Sequence, residues 1–248
     1  MSPPGISPYV AHVALMQAPC APPRDPDLWA DAVTGRLELP DLDDLLVVAA
    51  HPDDETIGAG RLLAALDVTA RAVTLTAGER CFDGTGEDPD RVAHARLAEW
   101  RCALGELGVE PLRCGHLPDG GLEHHLDDAV ALLADALASG SAVLAPWRHD
   151  PHPDHAAAGT AAARVAEAAG VPLLEYVVWA PYWLDPSDVA AHGGVLVAAP
   201  TGPREDERWR RALGCFTSQF HPWRPGWPPV VPADLVDRHH RQWLVARG

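Results

Sequence analysis

Five short apolar runs alternate with helical stretches along the middle of this chain, and few folds accommodate such a pattern. LLVVAA (45–50), RAVTLTAG (71–78), PLRCGHL (111–117), SAVLAPW (141–147) and LLEYVVWA (173–180) each have the length and content of a buried strand. PLRCGHL is the weakest of them. Between them, TIGAGRLLAAL (56–66) reads as a helix opened by Thr56, and residues 90–107 carry Val92, Leu97, Trp100 and Leu104 on one face. LDDAVALLADALAS (126–139) predicts a helix stopped by Gly140, and an Ala-rich helix runs over 155–169 to Gly170. Strands buried on both faces and separated by helices predict an α/β fold: a Rossmann-like three-layer sandwich around a mostly parallel sheet. Its active site belongs at the carboxyl edge of the strands.

The flanking segments are less regular. Residues 1–44 form a Pro-rich N-terminal arm, extended or irregularly packed, and residues 45–248 read as a single domain. After residue 180 the sequence predicts a strand at GVLVAA (194–199), a helix at 204–215 and a last helix at 236–246. The loop HPWRPGWPPVVP (221–232) lies between those two helices.

Composition removes several classes of function. All 19 basic residues are Arg, so a Schiff-base lysine and the lysine of a phosphate-binding P-loop are excluded. A formal net charge of −16 argues against nucleic acid and anionic membranes as partners. No apolar run approaches the roughly 20 residues of a membrane span, and the N-terminus makes a poor signal peptide, so the expectation is a cytoplasmic protein. Five cysteines without a CxxC pair suggest neither a disulfide framework nor a Cys-rich zinc site, and Cys102 and Cys215 read as buried thiols.

Chemistry concentrates in two loops. His51-Pro52-Asp53-Asp54-Glu55 follows the first strand, and Arg148-His149-Asp150-Pro151-His152-Pro153-Asp154-His155 follows the strand at 141–147. Either loop alone reads as a turn in which Pro fixes φ and Asp caps the next helix. Together, at one sheet edge, they offer the imidazoles and carboxylates of a catalytic metal site with a position left for water.

AHPDDETIGAG (50–60) and HPDHAAAG (152–159) resemble the two signature motifs of the LmbE-like (PIG-L) zinc-dependent N-deacetylases. TLTAGE (74–79), Arg96-x-x-Glu99 leading into LGELGV (104–109), LPDGGL (117–122) and a weaker echo at ALGCFTSQF (212–220) follow that family's order of blocks. The resemblance implies that His51, Asp54 and His155 hold Zn2+, or another divalent metal such as Fe2+. It implies Asp53 as the general base for a zinc-activated water, and His152, oriented by Asp154, as the oxyanion and leaving-group residue. Arg96 and Asp119 match positions lining the substrate pocket. The implied reaction is hydrolysis of an N-acetyl or N-acyl amide on an amino sugar or glycosylated small molecule, with residues 181–248 shaping the substrate pocket. An amidase of a larger thiol or natural-product conjugate, and a non-catalytic sugar-binding relative, are the alternatives. A homo-oligomer is left open.

Some residues are weighed by their own chemistry. Trp223 and Trp227 sit in a proline-stiffened loop that cannot bury all it carries; they read either as side chains of a rigid connector packed on the body of the protein or as gripping the substrate remote from the acetyl group. Glu55 is read as a helix cap or a brace for a metal ligand, and Asp150 as a shaper of its loop.

Overall fold

The computed structural model describes residues 25, 27–32, 35–36, 43–139, 141–198, 202–239 and 242–247. Strand β1 (Gly35–Arg36) follows a short helix α1 (Asp27–Asp31), and β2 (Asp44–Ala49) begins the alternating part. The series continues through α2 (Asp54–Ala65), β3 (Thr69–Thr74), α3 (Pro89–Leu107), β4 (Glu110–Cys114), α4 (Leu126–Ala136), β5 (Ala142–Pro146), α5 (Pro153–Ala169) and β6 (Leu173–Tyr176). Short helices α6 (Ala180–Trp183) and α7 (Pro186–Ala191) lead to β7 (Gly194–Ala198), α8 (Pro203–Gly214), α9 (Thr217–Phe220), α10 (Ala233–Arg238) and β8 (Trp243–Arg247).

The described strands form one eight-stranded sheet in the order β1-β7-β8-β6-β5-β2-β3-β4. From β4 through β2 to β6 every pairing is parallel, while β8 pairs antiparallel with β6 and β7. Alternate residues of β2 feed opposite faces: Leu45 and Val47 pack with α2 and α3, and Leu46 and Val48 pack with α4 and α5. That alternation produces the three layers. The chain runs outward from β2 to β3 and β4, then crosses back to β5 on the other side of β2. The crevice at this reversal lies at the carboxyl ends of β2 and β5, where ligands of such sheets bind. Both histidine-bearing loops leave the sheet there.

Several local expectations need correction. Helix α2 starts at Asp54, two residues before Thr56. Helix α4 ends at Ala136 with Leu137 already extended, and Gly140 lies outside the described residues. The helix expected at 236–246 is instead α10 followed by strand β8, because Trp243, Leu244 and Val245 are buried together inside the sheet. The N-terminal arm, where described, is part of the body: Trp29 is fully buried 5.6 Å from Trp243 and donates from Nε1 to the Leu184 carbonyl. Cys102 and Cys215 are not free buried thiols. Cys102 is exposed on α3, and the two form a disulfide that ties α3 to the end of α8.

Candidate active site

The two loops are held at close range by backbone geometry. In the first, Asp54 Oδ2 accepts the N–H groups of Ala50 and His51 at 3.1 and 2.8 Å, which folds the turn back on itself. Helix α2 can then run close against β6 because Gly58 lacks a side chain: a Cβ there would lie 2.4 Å from the Tyr176 ring. In the second loop, Pro153 starts α5 and His152 caps it, its Nδ1 accepting the Asp154 N–H at 3.2 Å. Gly159 lets α5 lie against the end of β5, since a Cβ there would lie 2.3 Å from the Pro146 carbonyl oxygen. Two glycines thus set how closely the loops meet.

His51, Asp53, Asp54, Arg96, His152 and His155 all line one open cleft with an empty volume of about 360 Å³. His51 Nδ1 lies 3.5 Å from Asp54 Oδ2, and His155 Nε2 lies 3.1 Å from Asp54 Oδ1. Donor atoms of His51, His152 and His155 fall within 4.8 Å of one another, as do those of His51, Asp119 and Asp154. Asp150 fixes His155 by accepting from its Nδ1 at 3.2 Å, leaving Nε2 directed at Asp54. That buried Nε2 has no hydrogen bond of good geometry. A buried ring nitrogen without such a partner, beside a carboxylate oxygen, is the donor set a divalent cation completes.

The electrostatics agree with a cation there. Burial opposes charge on Asp54, but the charge of His155 and the close approach of the His155 and His51 rings hold its carboxyl well below the usual range. Burial likewise opposes protonation of His155, yet Asp54 and Asp150 push it up to about 9. Asp53 behaves differently: burial raises it to about 6, with Arg96 opposing and Asp54 adding to the rise. Desolvation, then the positive charges of His155 and His51, push His152 down to about 3. His152 is therefore neutral, and since Nδ1 accepts the Asp154 N–H, its proton is on Nε2.

Other site residues depart from what the resemblance implies. The Asp154 carboxylate turns away from His152: it lies 3.2 Å from His51 Nε2 and accepts the N–H groups of Gly120 at 2.7 Å and Leu122 at 3.1 Å. His152 is oriented by the Asp154 backbone instead. Asp119 is not among the cleft-lining residues; its Oδ1 lies 3.1 Å from His51 Nε2. Arg96 does line the cleft, with one guanidinium nitrogen 3.1 Å from Asp53 Oδ1 and the other donating to the Gly78 carbonyl. Trp223 and Trp227 pack on Phe82, at ring distances of 5.1 and 5.7 Å, with Arg91 over Trp223. They do not line the cleft, whereas Val230 and Val231 of the same loop do. Glu55 is fully buried, bonded to the Thr56 hydroxyl, and pushed by burial up to about 8.

Sequence reasoning missed Glu79, Gln219, Val231 and Leu235. Glu79 Oε1 accepts the Asp119 N–H at 3.0 Å, and the neighbouring Arg80 N–H donates to Asp119 Oδ2, so the TAGE block latches the Asp119 loop. The placement of Glu79 in a block shared with the family was the available signal. Gln219 lies in the echo at 212–220, but nothing local to Val231 or Leu235 marks them as cleft residues. Asp150 accepts the His152 N–H at 3.1 Å within its own loop, and its Oδ2 ties that loop to the segment after β6 by accepting the N–H groups of Val178, Trp179 and Ala180 at 3.0–3.2 Å.

Residues 46–166 match the family model described as PIG-L, GlcNAc-PI de-N-acetylase. A 1D-myo-inositol 2-acetamido-2-deoxy-alpha-D-glucopyranoside deacetylase of Mycolicibacterium gilvum (strain PYR-GCK) is 30% identical over 190 residues, covering 64% of this chain and 65% of its own length. The matched segments span 34%, 65% and 60% of three such curated relatives, in each case less than two thirds. The conserved protein TT1542 from Thermus thermophilus is 27% identical, with a TM-score of 0.55 over 82% of this chain and 92% of its own. A deacetylase triple mutant of the teicoplanin biosynthetic pathway shares the fold at 20% identity, with a TM-score of 0.59 over 83% of this chain and 98% of its own.

Proposed function

Because this chain belongs to the PIG-L (LmbE-like) family, we propose that it hydrolyses the N-acetyl amide of an amino-sugar conjugate with the help of a divalent metal ion. The observation that supports this most directly is the meeting of His51, Asp53, Asp54, His152 and His155 in one cleft, from loops about a hundred residues apart in sequence. His51 through Nδ1, Asp54 through Oδ1 and His155 through Nε2 are the residues that would hold the ion, and zinc suits their mixed nitrogen and oxygen donors. Such an ion supplies Lewis acidity, lowering the pKa of a water and polarising the amide carbonyl. Carboxylates oriented on His51 Nε2 by Asp119 and Asp154 fix which ring nitrogen remains for the ion.

The chain's own groups then divide the proton chemistry. Asp53, beside the ligands and held ionised by Arg96, takes the proton of the attacking water at its carboxylate. The Nε2–H of His152 donates to the oxygen of the amide as it gains negative charge. The proton taken by Asp53 is available for the departing amine, so that acetate and a free amino sugar result. Arg96, anchored by one guanidinium nitrogen donating to the Gly78 carbonyl, holds Asp53 at the cleft with the other.

The test is to load the protein with Zn2+ or Fe2+ and screen N-acetyl amino-sugar conjugates for primary amine release, with metal content measured on the same samples. One bound ion per chain and amine release that a chelator abolishes are expected. His155→Ala should lose the ion and the activity together. A fully metal-loaded protein that releases no amine from any conjugate would overturn the proposal.

A further inference from the structure

Helix α3 reaches the cleft twice. One turn carries Arg96, which lines the cleft and holds Asp53; the next carries Glu99, which acts from outside it. Both Glu99 oxygens are spent on the start of α9. Oε1 accepts the Thr217 hydroxyl at 2.7 Å and the Ser218 N–H at 2.8 Å, and Oε2 accepts the Ser218 hydroxyl at 2.6 Å. The Ser218 oxygen in turn accepts from Gln219 Nε2 at 2.8 Å, and Gln219 lines the cleft. One turn further along α3, the Cys102–Cys215 disulfide ties the same two stretches of chain together. Ser218 and Gln219 are buried, so this row of hydrogen bonds is shielded from water.

Its polarity follows from its first member. A carboxylate only accepts, so the Ser218 hydroxyl gives its hydrogen to Glu99 and has only lone pairs left for Gln219. The Gln219 amide therefore meets Ser218 through Nε2, and its carbonyl oxygen is turned the other way. The buried Cys81 thiol, a weak donor, reaches the same side chain, and a carbonyl oxygen keeps a second lone pair beside such a contact. Resting on the deacetylase reading, we propose that Glu99 is a positioning residue: through Ser218 it holds Gln219 with Oε1 facing the cleft, as an acceptor for a hydroxyl or N–H of the amino-sugar substrate. A single lone pair needs no open wall, and Gln219 is about as deeply buried as His155, which lines the same cleft.

Glu99→Gln tests this without a change of shape. Its carbonyl must stay with the Ser218 N–H, which sets its amide nitrogen against the Ser218 oxygen. The hydroxyl hydrogen then turns to Gln219, whose amide flips and presents donors to the cleft. On the metal-loaded full chain, KM for the best N-acetyl amino-sugar conjugate should rise about three- to tenfold, the effect of one hydrogen bond. Metal content and kcat should not change, because a contact made equally in ground and transition states acts on KM. Ser218→Ala should do the same, and the double variant should do no more than either alone. Thr217→Val removes another Glu99 hydrogen bond but leaves the relay, so KM should stay as it was. An equal KM rise in Thr217→Val would reduce Glu99 to an anchor for α9 and overturn the proposal, as would an unchanged KM in Glu99→Gln. A second readout needs no turnover. The chain has three glutamines, Gln17, Gln219 and Gln242, so the Gln219 side-chain amide is separable in NMR spectra of the glutamine-labelled protein. Its protons should exchange with water at least tenfold faster in Glu99→Gln, and equal exchange would overturn the relay. If Glu99→Gln does not fold, Ser218→Ala carries both measurements. Faster exchange in the variant, with no turnover of any conjugate by the wild type, defeats the deacetylase reading alone.

Discussion

Asp53 and Asp54 are neighbours in sequence, yet their surroundings push their carboxyl groups in opposite directions. Asp54 faces two imidazoles and stays ionised; Asp53 is buried, raised to about 6 and restrained by Arg96. This separation of environments is what the proposed roles of Asp54 as ligand and Asp53 as base call for. Asp53→Asn should keep the bound metal while lowering kcat by about 10²–10⁴-fold, as loss of one acid–base group does. His152→Ala should cost less, about 10²–10³-fold, because it removes a single donor to the oxyanion. Metal analysis and steady-state kinetics on both variants check these outcomes. Retained kcat in Asp53→Asn would dismiss the base assignment. The residue types in both motifs were legible in the sequence, as was their order. The partner of each ring nitrogen was not, since His51 Nε2 is addressed by residues 119 and 154, which only the folded chain brings to it.

At the scale of elements, the site depends on how closely helices approach strand ends. Gly159→Val would drive a side chain into the Pro146 carbonyl, displacing the start of α5 that carries His155. The expected stability loss is about 1–3 kcal/mol, the usual cost of overpacking, with a weakened metal affinity measured by chelator competition. An unchanged affinity would show that α5 need not sit so close. Asp44 links three strands at the opposite edge: it pairs with Arg71 on β3 at 2.8 Å and accepts from the Ser141 hydroxyl at the start of β5. Burial alone would raise its pKa, but Arg71 and Ser141 hold it below the ordinary value. Its contribution is therefore present above the unfolded carboxylate pKa of about 4 and is lost as pH falls through the lower folded value. Asp44→Asn should cost about 0.5–1 kcal/mol at pH 7 in urea unfolding, since water still reaches the pair, and the deficit should shrink toward pH 3.

Across the whole molecule, the C-terminal segment decides features that no local pattern announces. The Cys102–Cys215 disulfide closes a loop between residues 113 positions apart, and removing a bridge of that span should cost about 2–4 kcal/mol. Cys215→Ala or a reductant should accordingly lower the unfolding free energy by the same amount, read in urea denaturation. No change under reductant would mean that the bridge does not contribute. Among the described residues no helix is long and apolar enough to cross a membrane. The sequence by itself determined the alternating strands and helices, the carboxyl-edge location of both loops and the residue types gathered there. Each of these rests on interactions within a short stretch of chain: apolar periodicity, proline and capping chemistry, and motif spacing. Only the tertiary structure decided that Trp243–Val245 form a strand inside the sheet and that exposed Cys102 finds Cys215. It likewise turned Trp223 and Trp227 onto Phe82, leaving the cleft wall to Val230, Val231 and Leu235. Those outcomes depend on which surfaces remain uncovered once the central sheet has formed, a property of the assembled core that no segment carries alone.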